Sequence, residues 1–468
     1  MHESPLAPGE PLPSDPIEDD RSFPEPEPEP GTDEPLRAKR PFWLLPFLGR
    51  VPLGLEQKHV SLIGVVSLAL FFENYDLSML TAALKQIRET YDLSQSEISS
   101  LVAYVRLGAI PAFLALPLAD RLGRRRVYLW ALAGMSVGTF LTAFARTPIE
   151  FVVLQTLTRF FVVASIASAV VIVAEELPAR HRGWGIGMLG AIGSLGYGLG
   201  AILYAFVDSL PHGWRSLYVV GIMPVLLLPW FSRRVPETRR FLEMKAAGPK
   251  ALGGWAQPMI DMVVAYPGRS LAVGALSLLV AAGNAPAFGL LSDFVQTTRG
   301  WLPSGYSLMA LVAGAFGIVG NTAMGWAADR WGRRPVGLVA FGLFPVIVYA
   351  VYFGPGQALP VFWIPMVFVL TGGSVLMRMV TTELFPTQSR NTAMGWGTLM
   401  ETLGASLGYA LVGVVAIGAE SIAPGVMIVS LLTALGGIVI WKFPETAQLE
   451  LETTSGDATE GASESAVR

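Results

Sequence analysis

The chain contains no cysteine, only four histidines and few charges, since Lys, Arg, Asp and Glu make up 15% of its 468 residues. The absence of cysteine excludes disulfide bonds and thiolate metal sites. No group of His, Asp and Glu has the spacing of metal ligands, so the sequence predicts neither a metal nor another cofactor. A soluble domain carries about a quarter charged residues, and the deficit therefore indicates a membrane protein.

Apolar residues make up 52% of the chain and gather into long runs. Most runs match the roughly 20 residues that cross the hydrocarbon core of a bilayer as a helix. We predict an all-α integral membrane protein whose twelve spanning segments are approximately 60–84, 97–118, 127–145, 149–174, 184–207, 216–234, 270–296, 305–328, 336–354, 360–382, 392–418 and 422–442.

The two ends of the chain differ from this apolar middle. Residues 1–58 are predicted to be a disordered acidic, Pro-rich tail that leads into a basic juxtamembrane segment, and residues 447–468 a second disordered acidic tail. Between the tails we predict six-helix bundles at 59–240 and 269–446, joined by a cytoplasmic central loop at 241–268. The lipid bilayer is therefore one predicted partner, and no feature predicts nucleic acid as another.

Lys and Arg predict the orientation of the segments. Of the 33 Lys and Arg residues, only five lie in the loops that follow odd-numbered segments, and three lie well inside segments. All the others fall in the tails, in the loops that follow even-numbered segments, or in the last two residues of an even-numbered segment. Because positive loops stay in the cytoplasm, we predict a multi-pass protein of the cell membrane with both termini cytoplasmic.

One basic stretch occurs twice. Leu116-Pro-Leu-Ala-Asp-Arg-Leu-Gly-Arg-Arg-Arg126 is repeated as Gly325-Trp-Ala-Ala-Asp-Arg-Trp-Gly-Arg-Arg-Pro335, and each copy lies between two apolar runs. Three further pairs share an offset of 208 residues: Glu175 with Glu383, Arg182 with Arg390, and Pro236-Glu-Thr238 with Pro444-Glu-Thr446. Two repeats of six helices in the same orientation predict an axis along the membrane normal and a site between the halves near mid-membrane.

These motifs resemble those of the major facilitator superfamily over essentially all of residues 55–447. The resemblance implies two six-helix bundles that alternate access to a central cavity. It also implies that helices 1, 4, 7 and 10 line the cavity and that helices 2 and 11 meet between the halves. Glu383-Leu-Phe-Pro386 and the Pro-Glu-Thr exits look like the branch of sugar porters and metabolite:proton symporters. Helix 7, with Gly283-Asn-Ala-Pro-Ala-Phe-Gly-Leu-Leu291, is closer to the aromatic-acid symporters.

The resemblance also assigns the repeated motifs to gating. The basic loops would latch the halves at the cytoplasmic surface, and Asp120 would face the positive N-terminal end of helix 11. The predicted gating residues are Asp120, Arg121, Gly123, Arg124, Arg125, Asp329, Arg330, Gly332, Arg333 and Arg334 of the loops, with Glu175, Arg182, Glu383 and Arg390 of the other repeated motif.

Charges inside a bilayer are costly and mark functional candidates. Glu73 and Asp76 are three residues apart in helix 1 and therefore share one face. We predict that this pair carries a proton across the membrane, with Asp76 as the principal carrier. The competing interpretation is a static ion pair that holds helices together.

Arg159 lies near mid-depth in helix 4, where the resemblance places an Arg that partners an acid on helix 1. We predict that it tunes the proton carrier or docks a substrate carboxylate through two hydrogen bonds. A purely structural ion pair is the alternative. The offset of 208 residues places Asn284 of helix 7 at the position of Asp76, as a polar residue that does not titrate.

Two further deep charges are candidates for a gate. Arg106 of helix 2 and Glu401 of helix 11 lie on helices that the resemblance makes neighbours, so we hypothesise an ion pair that forms in one state only. The competing hypothesis pairs Arg106 with Glu73. Arg378 is near Glu383 and either reaches the membrane surface or contacts substrate.

Aromatic residues in spanning helices more often pack than bind ligands. Tyr75 and Trp396 lie near the charged positions, and we predict that they flank a substrate.

The sequence contains no nucleophile with a base and no phosphate loop, so we predict a transporter and not an enzyme. The predicted function is proton-coupled symport of a small organic solute, with an organic or aromatic acid favoured, by a protein that works as a monomer. The alternatives are a symporter for a sugar or another polar metabolite, an efflux antiporter and a membrane sensor.

Overall fold

The computed structural model of the protein describes residues 38–41, 44, 50–115, 122–238, 241–242, 257–386, 389–419 and 421–446. The described part is helical and contains no strand. Its twelve long elements, numbered in chain order, are α1 (Gln57–Ala82), α2 (Gln95–Leu107, continued as Ala109–Ala115), α3 (Arg124–Thr142), α4 (Pro148–Glu176), α5 (Arg182–Tyr204), α6 (Trp214–Arg234), α7 (Pro267–Thr298), α8 (Pro303–Trp331), α9 (Arg333–Phe353), α10 (Leu359–Leu384), α11 (Arg390–Val415) and α12 (Ala423–Trp441).

Ten of these elements are long and apolar enough to cross a membrane, and α2 and α3 complete the predicted twelve. The helix α2 is interrupted at Gly108, where a Cβ atom would lie 2.2 Å from the backbone oxygen of Thr156 on α4. The helix α3 begins with three arginines, which lower the hydropathy of an otherwise apolar segment. We call the end at which α1 begins and α12 ends the near end, and the opposite end the far end.

The two halves repeat one packing pattern. The helix α1 packs along α5, and α7 packs along α11 in the same way. Both contacts depend on glycine: a Cβ at Gly196 would lie 1.8 Å from the oxygen of Phe71, and one at Gly404 would lie 2.2 Å from that of Leu278. Close approach of backbones through small residues is a common way to join helices in lipid.

The first helix of each half is also interrupted in the same place. After Ala83 the chain continues from α1 as a short helix, Leu84–Thr90, and after Leu290 the last part of α7 forms a helix at Leu291–Thr298. These far-end extensions were not predicted. The predicted central loop also contains a helix, Gln257–Ala265.

The halves meet along α2 and α11, as the resemblance implied, and along α5 and α8. The distance between α5 and α8 increases towards the near end. A Cβ at Gly198 would lie 3.8 Å from Leu311 of α8, whereas at Gly190 and Gly187, nearer that end on the same helix, it would meet nothing within 4 Å. We infer that the halves separate towards the near end and leave a cavity between them there.

Candidate functional site

The deep carboxylates lie on α1, in the wall between the halves. Glu73 and Asp76 are roughly 24 and 28 Å along the helix axis from Gln57. Both are buried, with 9% and 6% of their surface exposed. They share one face because three residues advance about 300° around an α-helix. The structure thus keeps two carboxylates side by side in a site with little water.

Asp76 is held by polar side chains from two other helices. The Thr139 hydroxyl of α3 donates to Oδ1 of Asp76 at 2.9 Å, and Gln155 of α4 is a further hydrogen-bond partner. Gln155 also donates to the hydroxyl of Thr142 at 3.1 Å, which fixes its side chain. Sequence patterns missed Thr139 and Gln155, because a hydroxyl or an amide within an apolar run gives little signal by itself.

Glu73 has a different environment from Asp76. It accepts no hydrogen bond from any residue that the structure describes, and its Coulombic interactions run to Arg159 and Asp76. Arg159 of α4 interacts with both carboxylates across the gap between the helices. No ion pair within 4.0 Å joins Arg159 to either carboxylate in the described part of the chain. Arg159 is therefore an electrostatic neighbour of both acids and not a direct ion-pair partner of either.

Asn284 of α7 occupies the equivalent position in the second half. It is buried, and its side-chain oxygen accepts a hydrogen bond of 3.0 Å from Thr433 of α12. The counterpart of Asp76 is therefore polar, neutral and already hydrogen-bonded.

The hypothesised ion pair between Arg106 and Glu401 is not formed in this conformation. Arg106 lies over the Tyr409 ring of α11, 5.1 Å from its centroid. Glu401 interacts with Arg378 of α10 instead. The competing pair of Arg106 with Glu73 is also not formed. Since the gate was expected in one state only, it stays a prediction for another state.

Tyr75 does not flank the cavity, contrary to the prediction. It is buried with its hydroxyl donating to the carbonyl oxygen of Leu217 on α6, at 2.7 Å. One helical step of 100° separates Tyr75 from Asp76, and that step turns the ring into the packed interior of the first half.

Trp396 also packs instead of presenting its polar atom to a ligand. Its indole N–H donates to the carbonyl oxygen of Ser270 at 2.8 Å, and its ring fills the space beside Gly274 of α7. The indole N–H and the ring of Trp396 therefore both make contacts within the second half.

Each half contains a charged cluster at the near end, built from the repeated motifs. In the first half, Arg124 contacts Glu175 at 3.3 Å, and Glu237 accepts a hydrogen bond of 3.1 Å from the backbone N–H of Arg125. Gly123 adopts a φ of 102°, which places the start of α3 against Glu237. Arg182 donates to the carbonyl oxygen of Leu177.

The second cluster has the same plan. Arg333 pairs with Glu383 at 2.9 Å and with Asp329 at 2.6 Å, and Glu445 accepts from the backbone N–H groups of Arg333 and Arg334. Gly332 and Arg390 correspond to Gly123 and Arg182 of the first half: Gly332 has a φ of 97°, and Arg390 donates to the carbonyl oxygen of Phe385. Exposed Arg330 lies over the Trp326 ring.

The glutamates of the Pro-Glu-Thr motifs therefore cap the helices that follow the basic loops. This role was not predicted, although the repetition of the motif was the available signal. Asp120 and Arg121, which were predicted to act in the first latch, lie outside the described residues. Their contribution stays a prediction.

A second set of contacts, which we call the far-end seal, joins the halves opposite the cavity mouth. Arg88 of the first half pairs with Asp293 of the second at 2.9 Å, with 15% and 0% of the side chains exposed. Gln86 and Tyr204 both hydrogen-bond to Gln296. The sequence contains a signal for this ion pair, because Asp293 is an acid inside the apolar segment 270–296.

Within the described part of the chain, no group of three or more His, Asp and Glu could hold a metal ion. The polar atoms that converge on the cavity belong to carboxylates, arginines and neutral side chains. This donor set suits protons and small polar or anionic molecules.

Comparison with known proteins identifies related sequences. The family model described as Major Facilitator Superfamily matches residues 66–320 and 271–465. A gallate transporter of Pseudomonas putida is 28% identical over 74% of this chain and 83% of its own length. A 4-hydroxybenzoate transporter of the same organism is 25% identical over 77% of this chain and 87% of its own.

Comparison with solved structures supports the same architecture. The crystal structure of a D-xylose–proton symporter matches with a TM-score of 0.68 and covers 83% of this chain and 98% of that one. Its sequence identity is 18%, so this likeness shows the fold alone.

Proposed function

The chain belongs to the major facilitator superfamily of secondary transporters, and on this premise we propose that it imports a small aromatic or other organic acid together with protons. One observation carries the proposal. Glu73 and Asp76 lie buried side by side on α1. Arg159 of α4 interacts electrostatically with both carboxylates but forms no direct ion pair with either.

The proton part of the proposal rests on the cost of charge in this site. Two neighbouring carboxylates in a poorly hydrated site do not both ionise easily, so they exchange a proton at modest energetic cost. Arg159 stays positive at any working pH and favours the ionised form of the acids until an anion competes for it. Binding of a substrate carboxylate to Arg159 would then favour protonation of Asp76 or Glu73, which links the two cargoes.

The substrate part rests on charge and on the relatives. A guanidinium binds a carboxylate through two parallel hydrogen bonds, which gives specificity as well as affinity. The relatives named as transporters of gallate and of 4-hydroxybenzoate support an aromatic carboxylate as the substrate class.

We further propose a location in the cell membrane with both termini in the cytoplasm, based on the distribution of Lys and Arg. The near end is then the cytoplasmic end, and the cavity described above is open to the cytoplasm. A single chain provides both walls of this cavity, which supports function as a monomer.

The test is uptake by proteoliposomes that contain the full chain. Radiolabelled 4-hydroxybenzoate should accumulate when the outside is more acidic than the lumen, and the lumen should acidify in parallel. Asp76→Asn and Glu73→Gln remove the titrating groups with little change in shape, so accumulation driven by the pH gradient should be lost in at least one of them. Exchange of substrate down its own gradient should persist.

The outcomes separate the alternatives. Uptake that remains driven by the pH gradient in both variants would show that the coupling assignment is wrong. Accumulation of a sugar instead of the acid would favour a polar-metabolite symporter. Alkalinisation of the lumen during substrate movement would indicate antiport, and absence of any flux would indicate a sensor.

A further inference from the structure

A second arginine lies at the depth of Arg159. Arg106 and Arg159 are each roughly 17 Å along their helices from the far end, and these helices, α2 and α4, pack side by side. The two side chains repel one another through a Coulombic interaction. A cation this deep in a membrane protein normally has an anionic partner.

Arg106 has no carboxylate partner among the residues that the structure describes. Its Nε atom is buried without a hydrogen-bond acceptor. The nearby acids are engaged elsewhere, because Glu73 interacts with Arg159 and Asp76, and Glu401 interacts with Arg378. The positive charge is therefore met by Tyr409, through its ring face and a side-chain hydrogen bond, and this neutral partner compensates the charge less than an ion pair would.

That ring holds the guanidinium in a defined place. Tyr409 lies on α11, and its hydroxyl donates to the carbonyl oxygen of Ala285 on α7 at 2.8 Å. Its backbone oxygen accepts a hydrogen bond of 2.7 Å from Ser99 of α2. Arg106 is thus positioned where the two halves meet, with Arg159 in the wall of the first half.

We propose that Arg106 is a second anion-binding residue of the central site, which shares the carboxylate of the substrate with Arg159. An anion between the two guanidinium groups would relieve their repulsion and give half-buried Arg106 an anionic partner. The inference rests on the proposed function and adds a specificity rule to it. A neutral analogue of the same shape, such as the primary amide, brings no compensating charge, so Arg106 should select acids over amides.

The test measures binding to the full-length protein in lipid nanodiscs by titration calorimetry. The probes are 4-hydroxybenzoate and 4-hydroxybenzamide, which differ in charge and hardly in shape. Arg106→Gln should weaken binding of the acid by about 10-fold or more, as expected for loss of a charged hydrogen-bond partner, and leave binding of the amide within about 2-fold. The ratio of the two affinities is the readout, and a residue that only supports the fold would not change it.

Two further variants serve as controls. Arg106→Lys keeps the charge but not the fork of donors, so it should give an intermediate ratio, and it remains informative if Arg106→Gln does not fold. Arg146→Gln removes one positive charge from an exposed position at the far end and should leave both affinities unchanged.

An unchanged ratio in Arg106→Gln, or equal weakening of acid and amide, would overturn the inference while the proposed function stands. If the unaltered protein bound no acid, the proposed substrate class would fail and this inference with it. The binding of the unaltered protein therefore distinguishes the two failures.

Discussion

The two halves of the molecule have nearly the same charges at their near ends and different residues at their centres. At the near end, Arg124 with Glu175 in the first half corresponds to Arg333 with Glu383 in the second. At the centre, the correspondence fails, because the position of Asp76 is taken by Asn284.

The other central charges of the first half are likewise replaced. The offset of 208 residues places Val367 at the position of Arg159, and the offset of 209 residues between the two basic loops places Ala315 at that of Arg106. The first half thus has acids and arginines at positions where the second half has neutral residues, although the second half carries Arg378 and Glu401 at other positions. The comparison supports the proposal that the central charges of the first half bind the cargo, whereas the repeated near-end charges stabilise a common scaffold.

The largest effect should come from removing a central charge of the first half. Arg159→Gln leaves two buried carboxylates without their cation and removes the docking group, at a cost of about 2 to 4 kcal/mol. Uptake by proteoliposomes should therefore fall by about 30- to 1,000-fold. In the second half, Asn284→Ala removes one neutral hydrogen bond to Thr433, worth about 1 kcal/mol, and should reduce uptake less than 10-fold.

Equal losses in these two variants would break the comparison, since the centre of the second half would then contribute as much as that of the first. The uptake rates can be compared only if both variants have the same melting temperature as the unaltered protein.

An intermediate effect is expected at the far-end seal, where the halves provide opposite charges from equivalent extensions. Asp293→Asn leaves Arg88 partly buried without its partner, which should destabilise the sealed state by about 2 kcal/mol. Because the chain has no native cysteine, Ser194→Cys places a single thiol at an exposed position of α5. Labelling of this thiol by a membrane-impermeant maleimide from the far side should increase by about 10-fold or more.

Lys85→Gln is the matched control for the seal. Lys85 pairs with Glu89 at 3.7 Å within one surface helix, so its loss should leave labelling unchanged. If the thiol in the Asp293→Asn variant is labelled from the near side only, as in the unaltered protein, then the pair of Arg88 and Asp293 does not hold the seal closed.

The smallest effect should come from the near-end clusters. Arg124→Gln and Arg333→Gln should each lower stability by about 1 to 2 kcal/mol and the melting temperature by a few degrees. Each arginine pairs with a glutamate of the other repeated motif, Arg124 with Glu175 and Arg333 with Glu383. Exposed Arg126→Gln is the control, and a loss of similar size there would show that net charge and not pairing is responsible.

Much of the architecture was predictable because the bilayer restricts it so strongly. In lipid, the chain must satisfy its own backbone groups, so long apolar runs become helices. The repeated loops and the offset of 208 residues predicted two similar halves, and the matches of the family model and of the solved structures confirm the superfamily and its fold. The acids Glu73 and Asp76 could be selected from the sequence because a charge in an apolar run is expensive.

The direction of each side chain was harder to predict. Tyr75 and Asp76 are neighbours in the sequence, yet one contacts Leu217 on α6 and the other contacts Thr139 on α3. Trp396 likewise directs its indole N–H to the carbonyl oxygen of Ser270. The rotational setting of a helix depends on all of its neighbours, and spacing within one helix does not contain that information.

By itself, the sequence determined the membrane environment, the number of helices, their division into two repeats and the deep charges of the first half. These features follow from hydropathy, from identity between distant motifs and from the cost of charge in lipid. The tertiary structure alone decided the partners: Arg106 against Tyr409, Arg88 against Asp293, and Glu237 and Glu445 against the starts of α3 and α9. Each of these contacts joins residues more than 100 positions apart, and only the packing of the helices brings them together.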